Sequence, residues 1–336
     1  MSTISTNKQD MRAILVQSPG EVENLFIGVY PQPKPYANEI LIKVEAAGVN
    51  RADILQRKGK YPPPAGASEL LGLEISGTVA EVGKSCTKWK VGDHIMGLLP
   101  GGGYAEYAVI HEDMALPKPD YLTFEQAAAI PEVFLTAYQA LVWLAGIQET
   151  ERVLIHAGAS GVGSAAIQLA KTFNAEVFVT ASAGKHDICR KLGADHIIDY
   201  KTTSFEEYVK AKTSGKGVHI VVDFIGGPYF KFNINSLSLD GRLVMLALMG
   251  SGPVSEIDLR KIIGKRLKVM GSTLRSRALD YQIRLTKDFS DSSIPYFHSG
   301  QLQPVVDRVF DWKEVAQAHT YMEENRNSGK IILKIN

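Results

Sequence analysis

The chain has 336 residues, 45% hydrophobic and 22% charged, a length and composition that suit two globular domains and exclude intrinsic disorder and a membrane bundle. Its 37 Lys and Arg against 36 Asp and Glu leave a net charge of +1, without the basic excess of a nucleic-acid binder or the acidic excess of a polyanion mimic, so a small-molecule partner is expected, with no nucleic acid and no membrane. The two cysteines, Cys86 and Cys189, sit far apart with no C-x-x-C spacing, which excludes a disulfide scaffold and a Cys-rich zinc lobe.

The first ten residues are polar and lack the apolar centre of a signal peptide, so a cytoplasmic chain with a loose N-terminus is expected. Residues 11–125 read as short strands and turns. Ala13–Val16, Glu39–Val49, Ile75–Val82 and Ala105–Val109 carry strand spacing between Gly/Pro clusters such as PPPAGA and LLPGGG, which suggests a barrel-like β domain. The apolar stretch from Ala127 to Ile147 contains Pro131, Glu132 and Gln139 and reads as a buried helix with a broken start rather than a membrane span.

From Thr123 onward the rhythm becomes that of βαβ units. Arg152–His156, Glu176–Thr180, His196–Asp199, His219–Phe224, Arg242–Leu248 and Leu267–Ser272 are six apolar strand candidates, the number expected of a doubly wound dinucleotide-binding sheet buried on both faces. A helical segment follows Arg275 to about Ser299. The tail then carries a strand over Val305–Phe310, a helix over Trp312–Glu323 and a final IILKI, and these strands are expected to cross back and complete the N-terminal β domain. The predicted division is 1–127 with 296–336 for the β domain and 128–295 for the α/β domain.

The strongest local signal is VLIHAGASGVGSAAIQLAK, residues 153–171. A strand is followed by Gly158, Gly161 and Gly163 and at once by a helix, so Gly158, Ala159, Ser160, Gly161, Val162 and Gly163 are expected to cradle a pyrophosphate at a helix N-terminus. The spacing is not the strict G-x-G-x-x-G. Where NAD-binding folds carry Asp or Glu at the end of the second strand, this sequence reads Thr180-Ala181-Ser182-Ala183-Gly184-Lys185. Ser182 and Lys185, with Tyr200 after the third strand, suit a 2′-phosphate, so the expected cofactor is NADPH; a solvated helix-start lysine is the alternative for Lys185.

The stretch Glu151–Lys171, with Ser160 in place of a usual glycine, resembles the quinone oxidoreductase/zeta-crystallin signature of the medium-chain dehydrogenase/reductase superfamily. GVNRADILQRKGKYPPPAGAS, LGLEISGTVAEVG, VGDHIMGLLPGGGYAEY, AAAIPEVFLTAYQAL, DFIGG and GKIIL agree, and the similarity spans residues 11–336. The long N-terminal block and the LLPGGG turn are most similar to the stress-inducible quinone oxidoreductase branch. The resemblance implies an α/β protein with a GroES-like β-barrel catalytic domain and a Rossmann domain with a doubly wound six-stranded parallel sheet. It also implies NADPH and a homodimer.

Zinc-dependent members of that superfamily bind catalytic zinc at positions matching Asn50, Leu73 and the apolar EVFLT stretch here. Those residues supply no zinc ligand set, so no metal is expected and alcohol oxidation is set aside. The scattered histidines, including His94, His111 and His156, read as packed or surface residues. By resemblance, Tyr61 donates to a developing quinone oxyanion and Asn50 orients the substrate, a packed loop aromatic being the alternative for Tyr61. Thr136, Ile225, Gly226, Met249 and Gly250 face the cofactor, and Asn325, Asn327 and Lys330 close over it. The implied activity is NADPH-dependent transfer of hydride or single electrons to a quinone. The alternatives are C=C reduction in enals or enones and a non-catalytic, crystallin-like protein binding NADPH or RNA.

Overall fold

The structure is a computed structural model that describes residues 9–254 and 257–336; most of the N-terminal segment expected to be loose lies outside the described residues. In chain order the elements are β1 (Asp10–Val16), β2 (Leu25–Pro31), β3 (Glu39–Val49), α1 (Arg51–Arg57), β4 (Glu74–Val82), β5 (His94–Leu98), β6 (Tyr107–His111), β7 (Ala115–Pro117), α2 (Phe124–Ala127) and α3 (Pro131–Tyr138). Then come β8 (Arg152–Ile155), α4 (Gly161–Thr172), β9 (Glu176–Ala181), α5 (His186–Lys191), β10 (His196–Asp199), α6 (Phe205–Lys212), β11 (Val218–Asp223), α7 (Gly227–Ser236) and β12 (Leu237–Met245). The last are α8 (Leu259–Gly264), β13 (Lys268–Gly271), α9 (Leu279–His298), β14 (Val306–Asp311), α10 (Val315–Glu323) and β15 (Lys330–Lys334).

These elements fall into two compact units. The first takes the described residues of Met1–Glu132 with Ala278–Ser290 and Pro304–Asn336; the second takes those of Val133–Arg277 with Asp291–Gln303.

In the first unit, β1 and β2 form an antiparallel hairpin in which Met11 faces Tyr30 and Ala13 faces Gly28. A seven-stranded sheet runs β14-β15-β3-β4-β5-β7, with β6 also on β3. The expected barrel is thus seen as a sheet and a hairpin. The eleven residues of β3 serve two partners in succession, pairing Glu39–Lys43 with β6 and Ala46–Val49 with β15. That double use buries Ile40, Ile42, Ala46, Ala47 and Val49 completely, which is why the strand reads as an apolar run rather than a clean alternation. The tail does return to the N-terminal strands: β15 lies antiparallel to β3 and parallel to β14.

In the second unit, six parallel strands run β10-β9-β8-β11-β12-β13, the 3-2-1-4-5-6 order of a doubly wound dinucleotide-binding sheet. Each expected strand is present. The fifth starts at Leu237, five residues before the expected Arg242, because α7 passes into β12 without a loop and Asp240, at φ +58°, disguises the strand pattern. Leu154, Phe178, Val209, Val221 and Leu243 are essentially inaccessible and form the core with Phe205 from α6 and Ile234 from α7. Fully burying each such side chain contributes about 1.5–3 kcal/mol.

The apolar run Phe124–Leu144 is long and apolar enough to cross a membrane, but the 18-residue stretch of it that meets this test is 72% buried inside the fold. It is broken as expected: α2 opens on a Thr123/Gln126 capping box, Pro131 starts α3, and a π-helical turn over Gln139–Leu144 closes the segment.

Candidate functional site

The glycine-rich turn is built around Ser160. Its Oγ accepts from Gly163 N at 3.0 Å, making Ser160 the N-cap of the twelve-residue α4, a role that contributes about 1 kcal/mol. A Cβ on Gly163 would sit 2.3 Å from Ala157 O, and one on Gly158 would sit 2.8 Å from Val179 Cβ. The glycines therefore let α4 start directly against the β8 turn. Ala159 is buried, while Ser160, Gly161 and Val162 remain half-buried at the helix start, where unpaired N–H groups and the helix dipole favour an anion.

The neighbouring strand ends carry the other predicted cofactor residues of this unit. Asp199 of β10 pairs in register with Ala181 of β9, so Tyr200 and Ser182 follow matched positions. Lys185 lies in a 3₁₀ turn, its backbone N–H donating to Ser182 O at 2.9 Å. No carboxylate stands between Ala181 and Lys185. The Asp223 carboxylate at the end of β11 accepts from Ile225 N at 2.7 Å and Gly226 N at 3.1 Å, and burial pushes its pKa up to about 6. Met249 N donates to Phe224 O and Gly250 N to Ile225 O, at 3.0 and 2.9 Å. The turns after β11 and β12 thus run side by side at carboxyl strand ends, where ligands bind in open α/β sheets. Thr136 sits half-buried within α3. Glycine cradle, helix N-terminus and the turns at the carboxyl strand ends together fit a nicotinamide dinucleotide.

The first unit holds a buried charged cluster that sequence reasoning missed. Lys330 is expected to close over the cofactor; its ammonium lies instead inside this unit, only 3% exposed. It donates to Asn50 Oδ1 at 2.5 Å and Val49 O at 2.9 Å and pairs with Glu74 Oε1 at 2.6 Å. The apolar pull of IILKI and the β15–β3 pairing draw its stem into the core. Asn50 Nδ2 donates to Glu74 Oε1 at 3.0 Å, and Glu132 N donates to Glu74 Oε2 at 2.9 Å. Asn50 N also donates to Asp53 Oδ2 at 2.8 Å, fixing the start of α1. Burial pushes Asp53 up to about 6 and Glu132 up to about 7, the second also raised by the charge of Glu74 against the opposing pull of Lys330. The only legible signals were Glu74 in GLE and Lys330 in GKIIL.

This donor set does not fit zinc. Asn50, Leu73 and the Glu132 region are the positions matching the expected metal ligands, and the polar space beside Asn50 is filled by an ammonium group that would repel a dication. Among the described residues no group of three or more His, Cys, Asp and Glu is arranged to hold a metal. The remaining candidates are placed plainly: Tyr61 is half-buried, Asn325 Oδ1 accepts from Arg51 Nη2 at 2.7 Å, and Asn327 Nδ2 donates to Gly329 O at 2.8 Å. His94 is exposed and packs edge-on to Phe124, and His111 Nδ1 accepts from Asp113 N.

Residues 36–120 match the family described as alcohol dehydrogenase GroES-like domain, and residues 161–288 match that described as zinc-binding dehydrogenase. The chain is 33% identical over 317 residues to the human synaptic vesicle membrane protein VAT-1 homolog, covering 90% of this chain and 80% of that one. It is 34% identical over 329 residues to polyketide synthase GfsB of Streptomyces halstedii, covering 96% of this chain and 6% of that protein. The chain spans 6–14% of the length of the polyketide synthases it matches. Among solved structures it is similar to the CurK enoyl reductase (TM-score 0.86, 30% identity, 98% of this chain and 100% of that one) and to an NAD-dependent alcohol dehydrogenase (TM-score 0.85, 32%, 97% and 100%). A mycobacterial protein complexed with NADPH is also similar (TM-score 0.85, 28%, 96% and 99%).

Proposed function

Because the chain belongs to the medium-chain dehydrogenase/reductase superfamily, we propose that it is an NADPH-dependent quinone reductase that works without a metal. The observation that carries this reading is Lys330: its ammonium, held by Glu74 and Asn50, takes the place of a metal cation. A quinone accepts electrons without a Lewis acid, whereas the zinc-dependent members of the superfamily use one to polarise an alcohol. The sequence blocks shared with quinone oxidoreductases support the quinone over other acceptors.

Bound NADPH would supply the hydride. Gly158–Gly163 would receive its pyrophosphate at the start of α4, and Ser182, Lys185 and Tyr200 would receive the 2′-phosphate. Ile225, Gly226, Met249 and Gly250 would support the rest of the dinucleotide, with Thr136 near the nicotinamide. Asn50, pinned at both ends of its carboxamide, orients the substrate without a large reorganisation cost. The Tyr61 hydroxyl donates to the oxygen on which negative charge develops.

A second reading, reduction of the C=C bond of enals or enones, is favoured by the similarity to the CurK enoyl reductase. Purified protein is tested for NADPH oxidation at 340 nm with ortho- and para-quinones beside crotonaldehyde-type substrates. Turnover of quinones supports the first reading, faster turnover of the enals moves the assignment to the second, and none with any quinone abandons the first. We also propose a cytoplasmic homodimer, checked by light scattering on the eluting protein.

A further inference from the structure

The carboxyl ends of β9, β8 and β11 are tied together by four buried polar side chains that the proposed chemistry does not use. Thr180 is 1% exposed, and His156, Asp223 and Asn233 are fully buried. Asp223 Oδ2 accepts from Asn233 Nδ2 at 3.1 Å. With the Asn233 amide nitrogen donating there, its Oδ1 faces His156 Nε2 at 2.7 Å, so Nε2 carries the ring proton. His156 Nδ1 is then an acceptor, and Thr180 Oγ1 at 3.0 Å donates to it. The Thr180 oxygen accepts in turn from Ala157 N at 3.3 Å. Burial lowers the His156 pKa to about 4, which keeps the imidazole in the neutral form this order requires. Every proton in the line points the same way, from the turn after β8 towards Asp223.

Both ends of the line hold strained or left-handed backbone. Ala157 has φ +48° without being glycine, and Gly226 has φ +83°. A non-glycine residue there costs of order 1–3 kcal/mol and persists only where its surroundings over-determine it. The line meets the backbone at Ala157 N, next to the glycine cradle, and at Ile225 N and Gly226 N through Asp223.

We propose that Thr180, His156, Asn233 and Asp223 are positioning residues that lock the turn Ala157–Gly163 and the turn Ile225–Gly227 into one mutual register before the cofactor binds. The proposal rests on the dinucleotide-binding reading of those turns. The residues act through backbone amides, so their effect falls on cofactor affinity and leaves kcat at saturating NADPH within about twofold.

Hydrogen exchange in the ligand-free protein, read by mass spectrometry, tests the coupling. Thr180→Val removes one hydroxyl; it is expected to speed exchange in peptides covering 157–163 and also in those covering 224–228, three links away, and Thr180→Ser restores both. A change confined to 157–163, or no restoration by serine, overturns the proposal. Titration of NADPH fluorescence supplies the second arm. Thr180→Val and Asn233→Ala are each expected to raise the Kd about tenfold, and the double variant little further, because one break already uncouples the turns. A double variant near a hundredfold, or a Thr180→Val Kd equal to wild type, overturns it as well. If Asn233→Ala fails to fold, the threonine pair decides alone. Wild-type protein that binds neither NADPH nor NADH refutes the cofactor reading, while the exchange result still decides whether the turns are coupled.

Discussion

Lys330→Met provides the sharpest test of the buried cluster. In the native protein the ammonium, 3% exposed, satisfies Glu74 at 2.6 Å, Asn50 at 2.5 Å and the Val49 carbonyl at 2.9 Å, and the Glu74 side chain is fully buried. Methionine keeps most of the stem volume but leaves Glu74 with two N–H donors and no cation. Breaking a buried pair from one side costs about 3–5 kcal/mol, and at about 2–4 °C per kcal/mol for a domain of this size the Tm falls by roughly 6–20 °C. Glu74→Gln combined with Lys330→Met removes the stranded charge and is expected to be more stable than Lys330→Met alone. Urea and thermal unfolding followed by circular dichroism measure both variants beside the wild type. A Lys330→Met loss below about 1 kcal/mol, or a double variant less stable than Lys330→Met, would show that the cluster is not an interdependent ion pair.

The same reasoning sets four further expectations. Lys185→Ala is expected to raise the KM for NADPH by about tenfold to a hundredfold, the worth of a charge-assisted hydrogen bond, and to leave that for NADH within about twofold; steady-state kinetics with both cofactors decides, and equal effects would contradict the phosphate assignment. Tyr61→Phe should lower kcat at least tenfold with NADPH affinity unchanged, whereas an unaltered kcat makes Tyr61 a wall of the site. Glu132, pushed up to about 7, holds its proton in the folded state where the unfolded chain has lost it, so its contribution to stability falls as pH rises from its ordinary value through about 7; Glu132→Gln should gain on wild type in urea melts at pH 8 and lose that advantage near pH 4. Prolonged dialysis against a chelator should leave turnover unchanged, and elemental analysis showing a stoichiometric metal whose removal abolishes activity would defeat the metal-free mechanism.

What the amino-acid order determined by itself is everything carried by local periodicity and by contiguous motifs. Six near-continuous apolar runs could become only doubly buried parallel strands, and Gly158, Gly161 and Gly163 between a strand and a helix marked the phosphate turn because the constraint on each is local backbone approach. The return of IILKI to the N-terminal strands was legible for a related reason, since those strands had no place in a six-stranded sheet. The start of β12 was hidden, because Asp240 in a left-handed conformation interrupts the pattern that a strand should show. The tertiary structure alone decided the fate of charges and protons. Lys330 reads as a lysine that closes over the cofactor until β15 pairs with β3 and brings it against Glu74, 256 positions earlier in the chain. His156 reads as a packed histidine until β9, β11 and α7 surround it with Thr180, Asp223 and Asn233. Apolar burial acts on each residue nearly alone and so leaves its period in the sequence. A buried polar group is defined by partners that lie far away in the chain, and only the fold supplies them.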